Sequence, residues 1–422
     1  MQTSLQGIAK KAKSQPRHRF RNLYGMLNEQ FLTDSWRYIR KDAAYGVDRI
    51  SAREYEKELT QRITDLVGRL KEKRYRAKLV RRHYIPKDGG KERPLGIPAV
   101  EDKLLQVAGA RLLSAIYEAD FLRCSYGYRP GVGALDAVEK LTVKLQFGQY
   151  HYVVEADIKG YFESIDHDWL IRMLEERVDD KALLWLIKKW LKAGVLDTDG
   201  MVLHPATGTP QGGVISPVLA NIYLHYALDL WFEKKFRRQC RGEACLIRYA
   251  DDFVCAFEFE SEAKRFYEAL GPRLRKFGLE LSAEKTRMIA FPRKGGSAGQ
   301  ASFDFLGFEF RWGRDRKGRP HLKRRTARPK FRASLKRFSE WCRVHRHQRL
   351  KLLFATLNQK LRGYYNYYGV HGNYPSLKQF YEAVMRLLYR WLNRRSQPRS
   401  YNWAGFRMLL QHFEVETPRL LA

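Results

Sequence analysis

The stretch Cys245-Leu246-Ile247-Arg248-Tyr249-Ala250-Asp251-Asp252-Phe253-Val254-Cys255-Ala256-Phe257 sets two adjacent aspartates between apolar runs. Apolar residues running up to and away from a short polar centre predict a β-hairpin with both carboxylates at its tip. Taken alone, the pair reads first as an ordinary solvated turn, because Asp is a good turn residue. The rest of the chain has to decide between a turn and a site.

Working outward, Tyr150-His151-Tyr152-Val153-Val154-Glu155-Ala156-Asp157-Ile158 reads as a strand ending on a carboxylate, and Lys159-Gly160-Tyr161-Phe162-Glu163 turns the chain into a helix. An aspartate at the end of a buried strand can face the turn of another strand pair, which makes Asp157 a candidate third carboxylate. Thr207-Gly208-Thr209-Pro210-Gln211-Gly212-Gly213-Val214-Ile215-Ser216-Pro217 is a Gly-rich loop before a long helix from about 218 to 236. Its glycines would let the backbone approach a ligand, with Gln211 beneath a nucleotide, although a plain turn fits the loop by itself. Upstream, Asp88-Gly89-Gly90 is a hairpin-turn signal that puts Lys87 and Arg93 on facing arms. Paired cations there suit a triphosphate, Arg being able to make a bidentate contact; a charged surface hairpin is the alternative.

Other patterns predict helices within 20–75, including an amphipathic run from Ser51 to Lys73, and a helix over 100–118 with Leu104, Leu105, Ala108, Leu112 and Ile116 in the core. A loop follows at Ser125-Tyr126-Gly127-Tyr128-Arg129-Pro130-Gly131. Residues 261–277 read as helix, Gly278-Leu279-Glu280-Leu281 as the start of a strand, and Phe303 to Phe310 as one alternating strand. Helices are expected at about 330–345, 349–367 and 376–395.

The chain has 422 residues, 44% of them hydrophobic, enough for two or three domains. Its formal charge of +33 points to a polyanionic partner, nucleic acid or an anionic membrane surface. From Arg311 to Ala422 there are 27 Lys and Arg against 5 Asp and Glu, so most of the excess lies in the last quarter. No apolar run approaches the roughly 18 residues of a membrane span. The first 28 residues lack acids and carry Lys10, Lys11, Lys13, Arg17 and Arg19, which suits a nucleic-acid-contacting arm. Five cysteines without paired spacing suggest a reducing compartment. Cys342, His345 and His347 fall short of a zinc site and read as a solvated helix face.

The order of these motifs, more than any one of them, closely resembles the group II intron-encoded reverse transcriptases, or maturases, from about residue 20 onward. The resemblance rests on Ile85-Pro86-Lys87 through Arg93-Pro94-Leu95-Gly96-Ile97-Pro98; Asp157 with Phe162; Thr209-Pro210-Gln211-Gly212-Gly213 with Ser216-Pro217; Tyr249-Ala250-Asp251-Asp252; Gly278-Leu279 with Lys285-Thr286; and Phe305-Leu306-Gly307-Phe308. It implies an α+β right-hand polymerase. A helical start to the fingers would occupy 1–75, fingers and palm with an antiparallel palm sheet 76–310, an all-helical thumb (maturase or X domain) 311–395, and a nucleic-acid-contacting tail 396–422.

The resemblance also implies roles. Asp157 and Asp251 would bridge two Mg²⁺ ions, with Mn²⁺ able to substitute; the Ile158 carbonyl would be a further ligand and Asp252 a supporting charge. Lys87, Arg93, Gln211, Lys285 and the backbone from Ile158 through Lys159, Gly160 and Tyr161 to Phe162 would hold a deoxynucleoside triphosphate. Phe162 would stand where a ribonucleotide 2′-hydroxyl would go. Tyr249, Ala250, Phe305, Leu306, Gly307 and Phe308 would position the primer end, though a core-strand role fits Phe305 and Phe308 as well. Lys323, Arg324, Arg325, Arg328, Lys330, Lys360 and Arg362 would meet nucleic acid.

The expected partners are group II intron RNA or another RNA template and a DNA primer or target, with no membrane, in a bacterial cytoplasmic ribonucleoprotein of monomers or homodimers. An endonuclease domain found in some members is not expected here, which would leave the primer to come from elsewhere. A free-standing polymerase of DNA repair or phage defence and a pure splicing cofactor are the alternatives.

Overall fold

The computed structural model of the protein describes residues 4–86, 92–209, 212–293, 301–395 and 400–421. It divides into two units, Met1–Ala137 with Val154–Met288, and Val138–Val153 with Ile289–Ala422.

The first unit opens with α1 (Leu5–Ser14), α2 (Glu29–Trp36), α3 (Ala52–Lys57) and α4 (Leu59–Lys71). Ser4 caps α1 by accepting from the Gly7 N–H, and Ile8 and Ala12 are buried. Arg177, itself buried, donates to the carbonyls of Ala12 and Pro16 and to Asp120. The basic N-terminus is thus a docked helix rather than a free arm. Ser51 and Glu54 form a reciprocal capping box at the start of α3. The run expected as one helix from 51 to 73 breaks at Glu58, whose φ of −120° leaves the helical region.

Strands β1 (Val80–Pro86) and β2 (Glu92–Ile97) precede α5 (Val100–Tyr117). Next come α6 (Ala134–Phe147), most of which belongs to the second unit, and then β3 (Tyr152–Asp157), the one-turn α7 (Tyr161–Ser164), α8 (His167–Glu175) and α9 (Lys181–Leu191). The short strands β4 (Val195–Leu196) and β5 (Val202–Leu203) lead to α10 (Ser216–Leu224). Ser216-Pro217 starts this helix as expected, but beyond Leu224 it continues through two π-helical turns, His225–Asp229 and Phe232–Phe236. Then come β6 (Ala244–Tyr249), β7 (Asp252–Phe257), α11 (Glu260–Arg275) and β8 (Arg287–Ala290). One sheet has the order β2-β1-β4-β5 and another β6-β7-β3-β8. β1 pairs antiparallel with β2 and parallel with β4.

The second unit contains β9 (Ser302–Phe305), β10 (Phe308–Arg314) and β11 (Pro320–Thr326), followed by α12 (Arg328–His345), α13 (Leu350–Tyr368), α14 (Tyr374–Leu392) and α15 (Trp403–His412). The stretch expected as one strand from Phe303 to Phe310 is a hairpin. Leu306 and Gly307, with φ of 49° and 80°, form its two-residue turn and leave Phe305 opposite Phe308. The range 311–395, expected to be all helix, therefore opens with the rest of a three-stranded sheet. Phe308, Phe310 and Trp312 are buried on alternate positions of β10, a period of two that only a strand can satisfy. The three expected helices follow as α12, α13 and α14, sharing a core with Leu357, Leu361, Tyr365, Phe380 and Leu388. Cys342 belongs to that core, not to a solvated face; burial pushes its thiol up to about 12.

Candidate active site and nucleic-acid surface

β6 and β7 pair antiparallel with Tyr249 opposite Asp252, leaving Ala250 and Asp251 as the turn. Ala250 has φ 56°, the positive value that tight hairpin turns require at their first position. Residues Ala244 to Arg248 and Phe253 to Phe257 are all buried, so the strands read as continuous apolar runs without alternation. Asp251 stands at the tip, and Asp252 begins β7.

Arg248 anchors this tip from below. Its side chain is wholly buried. Nε and Nη2 donate to the two oxygens of Asp229 at 2.7 and 2.6 Å. Nη1 donates to Asn221 Oδ1 at 3.1 Å and to the Ala250 carbonyl at 2.9 Å, and Nη2 also reaches Ser125 Oγ at 2.7 Å. All five guanidinium donors have acceptors, the condition under which such a charge can be buried. Asn221 and Asp229 come from one helix, eight residues apart, a spacing that rotates about 80° in a regular α-helix. The π-helical turn His225–Asp229 accommodates an extra residue and brings both onto one face.

Residues 124–127 run along β6, with the Arg248 N–H donating to the Cys124 carbonyl and the Tyr126 N–H to the Arg248 carbonyl. Asn221 Nδ2 donates to the Gly127 carbonyl at 2.6 Å. A Cβ on Gly127 would stand 2.3 Å from the Ala250 nitrogen, so only glycine fits. Sequence reasoning passed over Arg248, Asp229, Asn221 and Ser125. An arginine inside an apolar strand run was the available signal, since a fully buried Arg must be paired.

Asp157 ends β3, and Lys285 Nζ donates to its Oδ2 at 2.6 Å. The Ser282 N–H donates to the Asp157 carbonyl and the Lys159 N–H to the Glu280 carbonyl, at 2.8 and 2.9 Å. Residues 278–281, expected to begin a strand, instead supply this clamp and a single bridge from Leu281 to Ile158. The Lys159 amide, expected on a phosphate, is committed to Glu280. Burial pushes the Asp251 carboxyl above its ordinary range and the Asp157 carboxylate adds to the effect, while Arg93 and Lys285 oppose it. The Lys285 ammonium is held above its ordinary range chiefly by its hydrogen bond to Asp157, with Asp251 and Asp252 contributing. Three carboxylates and two cations therefore share one electrostatic neighbourhood.

Among the described residues no three His, Cys, Asp or Glu side chains are grouped so as to hold a metal ion by themselves. Asp157 and Asp251 still fit Mg²⁺, which takes one or two carboxylates and fills its other positions with phosphate oxygens and water. The ammonium seated on Asp157 marks a place where positive charge is favoured, and the buried Asp251 anion would be stabilised by more of it.

On the nucleotide side, Ile158 is core, and Tyr161 is buried with its hydroxyl donating to the Ala220 carbonyl at 2.5 Å. Neither side chain is available to substrate. Gly160 caps α7 with φ 54°, and its carbonyl accepts from the Glu163 and Ser164 N–H groups at 2.9 and 3.1 Å. The Phe162 carbonyl accepts from the Thr209 N–H and the Ile165 carbonyl from the Gly208 N–H, both at 2.7 Å. This ties the Gly-rich loop to the Phe162 turn. Across the loop, a Cβ on Gly212 would stand 2.6 Å from the Gly96 carbonyl of β2, the strand that carries Arg93 opposite Ile85. Lys87, the Asp88-Gly89-Gly90 turn and Gln211 lie outside the described residues.

Comparison with known families bears on this arrangement. The profile described as Reverse transcriptase (RNA-dependent DNA polymerase) matches residues 85–310, more than half of the chain. The chain belongs to the reverse transcriptase family. A second profile, Group II intron, maturase-specific domain, matches residues 330–408. Group II intron-encoded protein LtrA of Lactococcus lactis subsp. cremoris is 30% identical over 76% of this chain and 65% of its own length. Protein YkfC of Escherichia coli (strain K12) is 34% identical over 50% of this chain and 62% of its own. The chain thus spans less than two thirds of the length of these relatives. Among solved structures, telomerase from Candida albicans in complex with a fragment of telomeric RNA aligns over 85% of this chain and 67% of that one, with a TM-score of 0.45 and 14% identity.

In this member of the reverse transcriptase family the remaining expected contacts lie in the second unit. Phe305 and Phe308 are core side chains, and Phe308 packs on Tyr367 and Tyr368. Only the Leu306-Gly307 turn between them is left as a contact surface, with the Tyr367 hydroxyl donating to the Leu306 carbonyl at 2.8 Å. Arg325 makes a bidentate pair with Glu309 at 2.9 and 2.6 Å, and Arg324 donates to the His371 carbonyl. Arg325 ties β11 to β10 and Arg324 ties it to the connection between α13 and α14, so their charge is partly spent within the protein. Lys323 is half-buried on the same strand, while Arg328 and Lys330 are exposed at the start of α12. Lys360 lies over the Trp341 ring, and Arg362 pairs with Glu416. Of the tyrosines near the end of α13, Tyr365 is core and Tyr364 stacks on Phe380. In the C-terminal stretch, Trp403 stacks on Tyr389 and Phe406 is buried, so its aromatics pack back on the unit.

Proposed function

We propose that the chain is an RNA-directed DNA polymerase that adds deoxynucleotides to a primer 3′-hydroxyl, and that its C-terminal unit binds group II intron RNA to assist splicing and mobility. The observation that carries the reading is the convergence of Asp251, Asp157, Lys285 and Arg93 on one hairpin tip, in a chain of the reverse transcriptase family. Asp157 and Asp251 would hold two divalent cations, with Asp252 adding negative field. The chemistry such cations supply when bound is a lowered pKa for the attacking hydroxyl and neutralisation of the pyrophosphate. Arg93 would clamp the triphosphate, and the Arg248 anchor would fix the carboxylate that the primer end must meet. Phe162 leaves room for a deoxyribose and obstructs a 2′-hydroxyl. The basic C-terminal quarter supports binding to RNA phosphates in a bacterial cytoplasmic ribonucleoprotein.

The test is primer extension on an RNA template with Mg²⁺ and deoxynucleotides, alongside binding of the intron RNA. Asp251→Ala is expected to abolish extension and retain RNA binding. Substantial incorporation by that variant would remove the assignment of this carboxylate.

A further inference from the structure

The loop at residues 125–131 ends in a feature that the catalytic reading does not use. Tyr128 is 52% exposed and has φ 57°, a left-handed conformation that strains a bulky aromatic residue. The surroundings impose it. On one side Gly127 is pressed against Ala250 and tied to Asn221. On the other, Arg129 donates to the Leu122 and Ser125 carbonyls and to Glu118. The ring so displayed meets Phe162 edge-on, with centroids 6.3 Å apart at 75°, and tilts against Tyr249 at 6.5 Å. The charges of Asp251 and Arg93 also act on its hydroxyl.

We infer that Tyr128 is a specificity-determining residue, a backing wall that holds the Phe162 ring in the orientation that discriminates against a ribonucleotide 2′-hydroxyl. Phe162 also tilts against Tyr161, with centroids 5.5 Å apart, and the Tyr161 hydroxyl is fixed to Ala220. Of these two aromatic neighbours Tyr161 is locked into the core, and the support that is open to change is Tyr128. Without that ring, Phe162 gains rotamer freedom and can yield to the extra hydroxyl. The inference rests on the polymerase reading above and assigns a residue of the 125–131 loop to substrate choice.

The experiment compares kcat/KM for matched ribo- and deoxynucleotides on one primer and RNA template. Tyr128→Ala is expected to raise the ribo-to-deoxy ratio about two- to tenfold, the range that one edge-to-face aromatic pair supports. Tyr128→Phe, which keeps the ring, retains the wild-type ratio. In a Phe162→Ala background Tyr128→Ala adds nothing further to the ratio, because the two act through one wall. A Tyr128→Ala enzyme that loses both activities equally, or whose effect is additive with Phe162→Ala, overturns the inference while leaving the polymerase reading intact. A wild-type protein that extends no primer overturns both.

Discussion

Arg248 and Asp229 form a two-bond ion pair with both side chains fully buried. Removing one partner leaves an uncompensated buried charge, which costs about 3–5 kcal/mol. Arg248→Met is expected to lower the unfolding free energy by about that amount, and adding Asp229→Leu should recover much of it. The double variant still lacks the donor to the Ala250 carbonyl, so it should fold without regaining primer extension. Urea unfolding and extension assays separate the two effects; a normal kcat in the double variant would show that the tip needs no anchor.

Gly127→Ala places a methyl group 2.3 Å from the Ala250 nitrogen. The atoms it meets are all backbone, of Ala250 and Tyr249, so the hairpin tip has to move. A displacement of about 1 Å at a reacting centre can cost on the order of 100-fold in rate, and a kcat loss of that order is expected. Intron RNA binding, measured in parallel, should stay within about twofold, since this change adds no charge and removes none.

Lys285 occupies Asp157 Oδ2 through an ammonium whose side chain is largely exposed. Exposed pairs contribute about 0.2–1 kcal/mol. Lys285→Met should therefore tighten divalent-cation binding by the nucleotide-free protein by about two- to fivefold. Manganese titration followed by electron paramagnetic resonance reads this directly. Weaker binding in the variant would mean that the lysine does not compete for this oxygen.

Asp102 on α5 accepts from the Tyr75 hydroxyl and the Lys78 N–H, yet burial lifts its carboxyl to about 6. The native state thus keeps a proton that the unfolded chain releases near its ordinary value of about 3.9. That contribution to stability is complete below about pH 4 and is lost as pH rises through about 6. The stability of wild type relative to Asp102→Asn should fall by about 1 kcal/mol between pH 5 and 7.5. A difference independent of pH would place the Asp102 titration elsewhere.

The hairpin carrying Asp251 and the strand ending on Asp157 were legible as local shapes, while their joint role was expected only from the order of the motifs. An apolar run broken by two aspartates favours a turn there, and a strand ending at Asp157 delivers its carboxylate at the end of that strand, between β7 and β8. The supports were not legible, because they join residues far apart in the chain. Arg248 meets Ser125 across 123 positions, and nothing near either residue announces the other. The π-helical turn that aligns Asn221 with Asp229 leaves no mark in composition. At Leu306 a left-handed turn falls on a residue that prefers none, so the hairpin read as one strand. Charge counting also left unseen the pairing at β11, where Arg325 meets Glu309 on the neighbouring strand.

Residues 138–153 belong to the second unit although they are synthesised long before the rest of it. Gln146 receives the Leu322 N–H, 176 positions later, and the Gln146 and Gly148 carbonyls receive Arg293. At about 5–20 residues per second of translation, this segment waits on the order of ten seconds for its partners. The nascent chain therefore cannot complete its units one after the other. A C-terminal fragment cut at residue 289 or 311 would lack a piece of its own fold, and adding the 138–153 peptide in trans is the way to restore it.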